Sequence, residues 1–256
     1  MVRRIVLIIA LAFAAPAFAQ VEYQSTLGPD NLTPRYPIVE GTKGWTAAMG
    51  SVCHTGMRYA WQSAPGRHRF EIRNTTNDRG CFSDPSTKRR SELHRKQTVP
   101  FGVVHWGAFT VKDHWTDPTG MKSKGKSGTW VQMHSGSGSP TFAIRRIGDG
   151  RMRITTTDGG DNKTRYTSAT APAFNMPHDV VYRVKIGTRG ELDVWLDGKQ
   201  VLAFRGVVGR DNNNSHWCFG PYFAGGISGV VIQEFANQVY PGTKDLSSRI
   251  AAPPSW

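Results

Sequence analysis

The chain has 256 residues, of which 38% are hydrophobic and 20% are charged, and its formal net charge at pH 7 is +13. The apolar run near its start is too short for a membrane span, and no later stretch is a candidate for a membrane-spanning helix. So large a positive charge favours a polyanionic partner, with solubility as the alternative explanation.

Residues 1–19 are predicted to be a cleavable signal peptide. Arg3 and Arg4 precede the apolar stretch "IVLIIALAFAAP", and "AFA" ending at Ala19 is a small-x-small cleavage site. This pattern is typical of bacterial export and predicts a periplasmic or secreted protein, with an uncleaved anchored form as the alternative. Removing Arg3 and Arg4 from +13 leaves +11 on the mature chain. Export makes an acidic polysaccharide a more suitable partner than nucleic acid.

Three cysteines are present, Cys53, Cys81 and Cys218. An oxidising compartment permits a disulfide, and Cys53 with Cys81 is the predicted pair because both lie beside segments that resemble strands. Cys218 is then left over. No Cys–His spacing resembles a zinc site, so we expect no metal and no cofactor.

Most of the mature chain is predicted to form β-strands. No long apolar pattern has the helical period of about 3.6, and 28 glycines and 15 prolines interrupt the chain. Alternation of polar and apolar residues instead predicts strands. The segments are 68–73, with Phe70 and Ile72 on one face; 141–157, two strands around a Gly-Asp-Gly turn; 182–206, a meander with a hairpin at Asp197-Gly198; and 225–240.

Many short strands without crossover helices predict an all-β fold, an antiparallel sandwich or jelly roll. No break in composition marks a second domain, so residues 20–256 are expected to be a single domain. Within it, residues 21–45 are predicted to be an irregular lead-in and residues 241–256 a proline-ended tail.

The segment "KRRSELHRK" (88–96) concentrates charge on a predicted strand. Alternation places Arg90, Glu92 and His94 on one face, while Leu93 on the other face suggests contact with the core. A carboxylate between cations can hold Arg90 rigid by a charge-assisted hydrogen bond. A rigid guanidinium is suited to binding a substrate carboxylate, whereas the alternative is a solvated, salt-bridged edge strand.

A second polar pair occurs in "TWVQMHSGSGSP" (129–140), where Gln132 and His134 share a face. Such a pair suits a site that binds a polar group and moves a proton, although a structural or exposed histidine is the alternative. Aromatic residues, among them Trp106 and those of 216–233, can stack on sugar rings. Core packing is the alternative for each of them.

Three short motifs together resemble the signature strands of jelly-roll polysaccharide lyases, both the heparin-lyase-like family and the alginate- and glucuronan-lyase group. The resemblance extends from about Trp45 to Tyr240. The motifs, in order, are "RSEL" at 90–93, "QMH" at 132–134 and "YFAGGISGVVIQ" at 222–233, and the segments at 66–74 and 190–206 also resemble the heparin-lyase-like family. The resemblance implies a concanavalin-like β-sandwich of two antiparallel sheets.

The resemblance also implies β-elimination on a uronic-acid polymer. Arg90 and Gln132 would polarise the sugar carboxylate as oxyanion-type stabilisers, and His134 would neutralise that carboxylate or act as the base. The other residues that we predict to bind substrate are Glu92, His94, Arg95, Trp106, Tyr222 and Ser228.

The motifs depart from the family pattern at three positions. The slot of a second arginine, two residues beyond the glutamate, holds His94, and Arg95 lies one place further, where a bulge can return it to the groove. In the last motif, Ala224 replaces a lysine and Ser228 replaces the tyrosine that donates the proton. Other candidate donors are His94, His105, His114, Tyr166 and Tyr222.

Other functions remain open at this stage. A non-catalytic glycan-binding module on the same sandwich would explain the serine at position 228. A retaining glycoside hydrolase is suggested by Glu191 and Asp193, but it needs a second catalytic glutamate, and positions 195 and 196 are tryptophan and leucine. No nucleic-acid-binding motif accompanies the charge. We expect a monomer without a membrane partner.

Overall fold

A computed structural model describes residues 46–47, 60–64, 67–73, 89–90, 92–96, 99–123, 125–135, 138–209 and 215–256. The predicted signal peptide and the predicted Cys53–Cys81 pair lie outside the described residues. Within the described residues, the two helices are far too short to cross a bilayer.

The described chain is built almost entirely of strands. In chain order these are β1 (Thr46–Ala47), β2 (Ala60–Ala64), β3 (Arg67–Arg73), β4 (Arg89–Arg90), β5 (Leu93–Lys96), β6 (Val104–Trp115), β7 (Ser127–Ser135), β8 (Phe142–Ile147), β9 (Met152–Asp158), β10 (Asp161–Thr167), β11 (Pro177–Lys185), β12 (Gly187–Leu196), β13 (Lys199–Val208), β14 (Ser215–Phe219), β15 (Tyr222–Phe223) and β16 (Val230–Gly242). The helices are α1 (Pro118–Ser123) and α2 (Ser247–Ala251).

Two antiparallel seven-stranded sheets form a sandwich, as the strand pattern predicted. The first sheet has the order β1-β5-β14-β7-β8-β9-β10, and the second has the order β13-β12-β11-β6-β16-β3-β2. A separate two-stranded pair joins β15 to β4. Neighbours such as β5 and β14 are distant in sequence, which is typical of a jelly roll rather than of a simple meander.

The hydrophobic core lies between the two sheets and follows the alternation of each strand. Val131 and Met133 of β7 meet Phe109 of β6 and Tyr182 of β11 in one cluster of buried side chains. Phe70 of β3 is also in this core, and it is 1% exposed. The predicted apolar face of residues 68–73 is therefore confirmed.

The predicted turns are also present. Residues between β8 and β9 form the Gly-Asp-Gly turn, where the Ile147 amide donates to the Arg151 carbonyl (2.9 Å). Between β12 and β13, Asp197 and Gly198 have φ values of 50° and 78°. Positive φ at both central residues is the geometry of a tight two-residue hairpin, which explains the Asp-Gly sequence.

The C-terminal segment, predicted to be a proline-ended tail over residues 241–256, contains the short helix α2. Leu246 and Ile250, at the start and within α2, pack on Ala108 and Val181 of the second sheet's outer face. Arg249 binds Asp179 through two nitrogens, at 2.6 and 3.2 Å. Leu246 and Ile250 alone are too short an apolar pattern to predict a helix. The surface on which they pack belongs to β6 and β11, which are distant in sequence.

Candidate active site

The outer face of the first sheet holds the residues of the "QMH" motif. Because Val131 and Met133 point into the core, alternation turns Gln132 and His134 to the opposite face. Gln132 is only 3% exposed although it points away from the core. This part of the outer face is therefore a recess, and we use that word below for the surface around Gln132.

Strand register brings two of the predicted motifs together in this recess. Cys218 of β14 is the cross-strand partner of Gln132 on one side and of His94 on the other. On the far side of β7, Gln132 is opposite Ala143, which in turn is opposite Thr155. The residues of this row next to Gln132 are small, so the row can form the floor of a binding site.

Glu92 fixes the orientation of Gln132. The Gln132 amide nitrogen donates to a Glu92 carboxylate oxygen at 2.8 Å, and Glu92 is fully buried. Glu92 lies in the break between β4 and β5, so it does not follow the strand alternation that was expected for residues 90–94. A buried charge-assisted hydrogen bond of this kind holds the amide in one orientation.

The third motif reaches the same region through the two-stranded pair. Tyr222 is the cross-strand partner of Arg90, and its carbonyl accepts a hydrogen bond from the Thr129 hydroxyl (3.2 Å). The three predicted motifs thus converge on the middle of β7, around Thr129 and Gln132.

Two residues that sequence reasoning missed, Arg145 and Arg153, lie beside these groups. They are direct cross-strand partners on β8 and β9, and their neighbours Ile144 and Ile154 point into the core. Burial lowers the pKa of Arg145 to about 10, with the Tyr222 phenol and the Glu92 carboxylate opposing the shift and Arg153 adding to it. The alternation in "FAIRRI" and "RMRI" is the signal that could have found them.

Other predicted residues take different positions. Arg95 is the register partner of Trp217, a buried core residue, and the four pairs described between β5 and β14 contain no register shift. The bulge that would return Arg95 to the groove is therefore absent from these described pairs. Beside α1, the Ser228 hydroxyl donates to the Asp117 carboxylate and the Ser228 amide N–H donates to the Met121 sulfur (3.2 Å).

Trp106 lies on the other sheet. It belongs to β6, on the outer face that α2 covers, and it stacks on Trp195 with ring centroids 5.7 Å apart. Trp106 therefore does not join the other predicted substrate-binding residues. The even-numbered residues of β6, which include Trp106, face away from the core and lie on the opposite side of the sandwich from the recess.

The structure separates the candidate proton donors. His105 faces the interior from β6 at 4% exposure, and burial lowers its pKa. His114 belongs to the second sheet, and Tyr166 packs against the core. Among the donor side chains that the structure describes, Tyr222 is the one beside Arg145.

The acidic pair that suggested a glycoside hydrolase has a structural role. Glu191 and Asp193 lie on the second sheet, where Arg183 binds both (2.5 and 3.0 Å) and Arg205 binds Asp193 at 2.6 Å. The hydrogen bond from Arg183 lowers the pKa of Glu191. A carboxyl group held ionised by arginines is unsuited to donate a proton to a leaving group.

The fold and the recess define the chain as a jelly-roll β-sandwich that carries amide, imidazole and guanidinium groups on one sheet face. A sequence model of the family described as polysaccharide lyase matches residues 43–240. The chain belongs to this family, and it is accordingly a polysaccharide lyase by membership.

Solved structures with the same fold include other lyases. An endo-β-1,4-glucuronan lyase from the fungus Trichoderma reesei has a TM-score of 0.54 at 15% identity, over 83% of this chain and 92% of that chain. A family 18 polysaccharide lyase, aly-SJ02, has a TM-score of 0.52 at 12% identity, over 82% of this chain and 100% of that chain. The alginate lyase AlyC3 has a TM-score of 0.50 at 14% identity, over 73% and 80%.

No curated protein matches this sequence. At such low identities the structural likeness establishes the jelly-roll fold. The family match establishes the class of enzyme. The substrate must be argued from the residues of the recess.

Proposed function

We propose that the protein is an exported lyase that cleaves an acidic, uronic-acid-containing polysaccharide by β-elimination, and that the recess around Gln132 is its active site. One observation carries the proposal. Gln132, oriented by the buried Glu92 at 2.8 Å, shares its sheet face with His134 and adjoins the Arg145–Arg153 pair. Amide and guanidinium donors beside an imidazole are the groups that this reaction requires.

The reaction explains these residue types. A base removes the proton on C5, the electron pair of that C–H bond forms the C4=C5 double bond, and the C4–O4 bond breaks with its electron pair moving to O4. An acid then protonates the departing O4. The C5 proton is too weakly acidic while the neighbouring carboxylate keeps its full charge, so donors that stabilise the enolate lower the barrier.

The chain supplies a group for each step. Gln132 and Arg90 stabilise the carboxylate of the sugar that is cut, as the family resemblance implies. His134 neutralises that carboxylate or removes the C5 proton. Tyr222 adjoins the site and carries a hydroxyl, which makes it our candidate for protonating O4. Ser228 binds Asp117 instead, which agrees with another residue taking the role of the missing tyrosine.

The net positive charge of the protein supports an acidic substrate. The whole chain carries +13, and long-range attraction raises the encounter rate with a polyanion. Two of the similar structures are named as glucuronan and alginate lyases, and both of those polymers consist of uronic acids. Export, which residues 1–19 predict, would place the enzyme where such polymers occur.

The test is to incubate the protein with glucuronan, alginate, heparin-type and hyaluronan-type polymers. Cleavage is measured by the ultraviolet absorbance of the unsaturated uronate product. We expect turnover of at least one polymer. Gln132→Ala and His134→Ala should each lower kcat/KM by about a hundredfold or more, because each removes a group that acts in the transition state.

Gln200→Ala is the matched control, because Gln200 is an exposed glutamine of β13 on the other sheet, and its activity should equal that of the wild type. Circular dichroism would confirm that all variants fold. Binding of a polymer without product would favour a glycan-binding module, and full activity in both recess variants would remove this site assignment.

A further inference from the structure

Arg145 and Arg153 form an unusual pair for a β-sheet. They face each other directly across β8 and β9, where like charges destabilise a sheet. Neither forms an ion pair within the described part of the protein, whereas the next residue of β8, Arg146, is fully buried and binds Asp113 at 2.6 Å. The sheet therefore tolerates two adjacent guanidinium groups that form no ion pair within the described part of the protein, and the Glu92 carboxylate acts on Arg145 only electrostatically.

Buried polar atoms without hydrogen-bond partners lie around this pair. Thr155 follows Arg153 on the same face of β9 and is 2% exposed. The Thr155 hydroxyl, the Arg153 Nε and the Gln132 Oε1 are buried atoms that make no hydrogen bond in the described structure. Buried polar atoms are normally paired, so these three are placed to meet groups from outside the chain.

The pair lies next to the proposed reaction centre, not within it. Gln132 is on β7, Arg145 on β8 and Arg153 on β9. Gln132 is opposite Ala143 and Thr155, and each arginine lies two residues along its strand from that row. With strands about 4.8 Å apart, the arginines lie diagonally from Gln132, one and two strands across the sheet. A polymer chain that crosses the strands would present successive sugar units to Gln132 and then to the arginines.

We propose that Arg145 and Arg153 bind the carboxylate of a second uronic-acid residue, adjacent to the sugar that is cut at Gln132. This inference rests on the proposed function, and it adds a subsite that fixes which part of the polymer lies on which side of the bond. Guanidinium groups suit a carboxylate because their fork of N–H donors makes two parallel hydrogen bonds. Partial burial strengthens these contacts relative to an exposed lysine patch.

The subsite has a kinetic consequence. Because it contacts a sugar that does not react, its binding energy should appear mainly in KM and in the preference for longer chains. Loss of one charged hydrogen-bonding partner weakens binding by about 1.5–3 kcal/mol, which corresponds to a rise in KM of roughly tenfold to a hundredfold.

The experiment compares wild-type protein with Arg145→Gln and Arg153→Gln, using Arg189→Gln as the matched control. Arg189 is an exposed arginine of β12 on the other sheet, so its removal changes the net charge equally. Initial rates on uronate polymers and on their short oligosaccharides give kcat and KM, and calorimetry gives the affinity for the same polymers and for a sulfated galactan that lacks uronic acid.

We expect Arg145→Gln and Arg153→Gln to raise KM on the polymer while kcat changes little. Both variants should also show a smaller preference for long over short substrates. Unchanged KM and affinity in both variants, with an active wild type, would overturn the subsite and leave the proposed function intact. An equal loss of affinity for the sulfated galactan would overturn the carboxylate assignment in favour of a general anion site.

A wild type that binds uronate polymers without cutting them would overturn the proposed lyase activity. The affinities of the arginine variants would still test whether Arg145 and Arg153 bind a uronate carboxylate. A wild type that neither cuts nor binds any of these polymers would overturn both proposals.

Discussion

Single residues around Gln132 decide what the recess can do. The hydrogen bond from Gln132 to Glu92 spans 40 positions of the chain and is buried at both ends. Glu92 is therefore a positioning residue for the Gln132 amide, which stabilises the substrate carboxylate in the proposed mechanism. Tyr222 adds a hydroxyl close to Arg145.

The proton donor gives the prediction at this scale. Tyr222→Phe should lower kcat by roughly a hundredfold, since general acid catalysis contributes that much or more, with a small change in KM. The matched control is Tyr166→Phe, because Tyr166 packs against the core and the ring is retained. Steady-state rates on the best polymer provide the measurement. Equal activity in the two variants would show that Tyr222 does not protonate the leaving oxygen.

At the scale of elements, the short helix α2 is held to the second sheet by one buried ion pair. Arg249 and Asp179 are 11% and 5% exposed at their side chains, and the Thr110 hydroxyl also donates to Asp179 (2.9 Å). A helix of five residues has little stability of its own. Its conformation therefore depends on this contact and on the apolar contacts of Leu246 and Ile250.

Arg249→Gln should lower the free energy of unfolding by about 2 kcal/mol, because Asp179 would keep its burial and lose its charged donor. Arg205→Gln is the comparison: Arg205 binds Asp193 on the same sheet but is 55% exposed, and such pairs contribute about 1 kcal/mol at most. Urea unfolding curves measure both variants. A larger loss in Arg205→Gln than in Arg249→Gln would contradict this account of α2.

For the whole molecule, a buried ion pair connects the two sheets. Arg146 of β8 binds Asp113 of β6 at 2.6 Å, and both side chains are fully buried. Trp130 donates to the same carboxylate oxygen (2.5 Å), and Arg146 also donates to the Pro172 carbonyl (2.6 Å). Burial raises the pKa of Asp113, and the charge of Arg146 and its hydrogen bonds oppose that shift.

Asp113→Asn should lower the free energy of unfolding by about 3–5 kcal/mol, because Arg146 would remain buried without its counter-charge. Arg151→Gln, which breaks an exposed pair with Asp149 in the nearby turn, should cost less than about 1 kcal/mol. Thermal and urea unfolding of the two variants test the difference. Similar stabilities would mean that the pair does not hold the sheets together.

Much of the fold could be predicted because strands are encoded locally. The alternation of Phe70 and Ile72, and the turn at Asp197 and Gly198, depend on residues next to one another in sequence. The all-β sandwich followed from such segments, and the structure and the family match confirm it. The site was only partly predictable: the shared face of Gln132 and His134 is local, whereas the partnership of Gln132 with Glu92 is not.

The sequence by itself determined the strands, the tight turns and the residue types that point to a polysaccharide lyase, since each depends on spacing over a few residues. Only the tertiary structure decided which distant strands became neighbours. Strand pairing brought Arg145 and Arg153 close to Gln132. The fold also placed Trp106 on the other sheet and brought Ser228 into hydrogen-bonding distance of Asp117. Pairing between strands that are far apart in sequence fixes which side chains meet, and no local pattern contains that information.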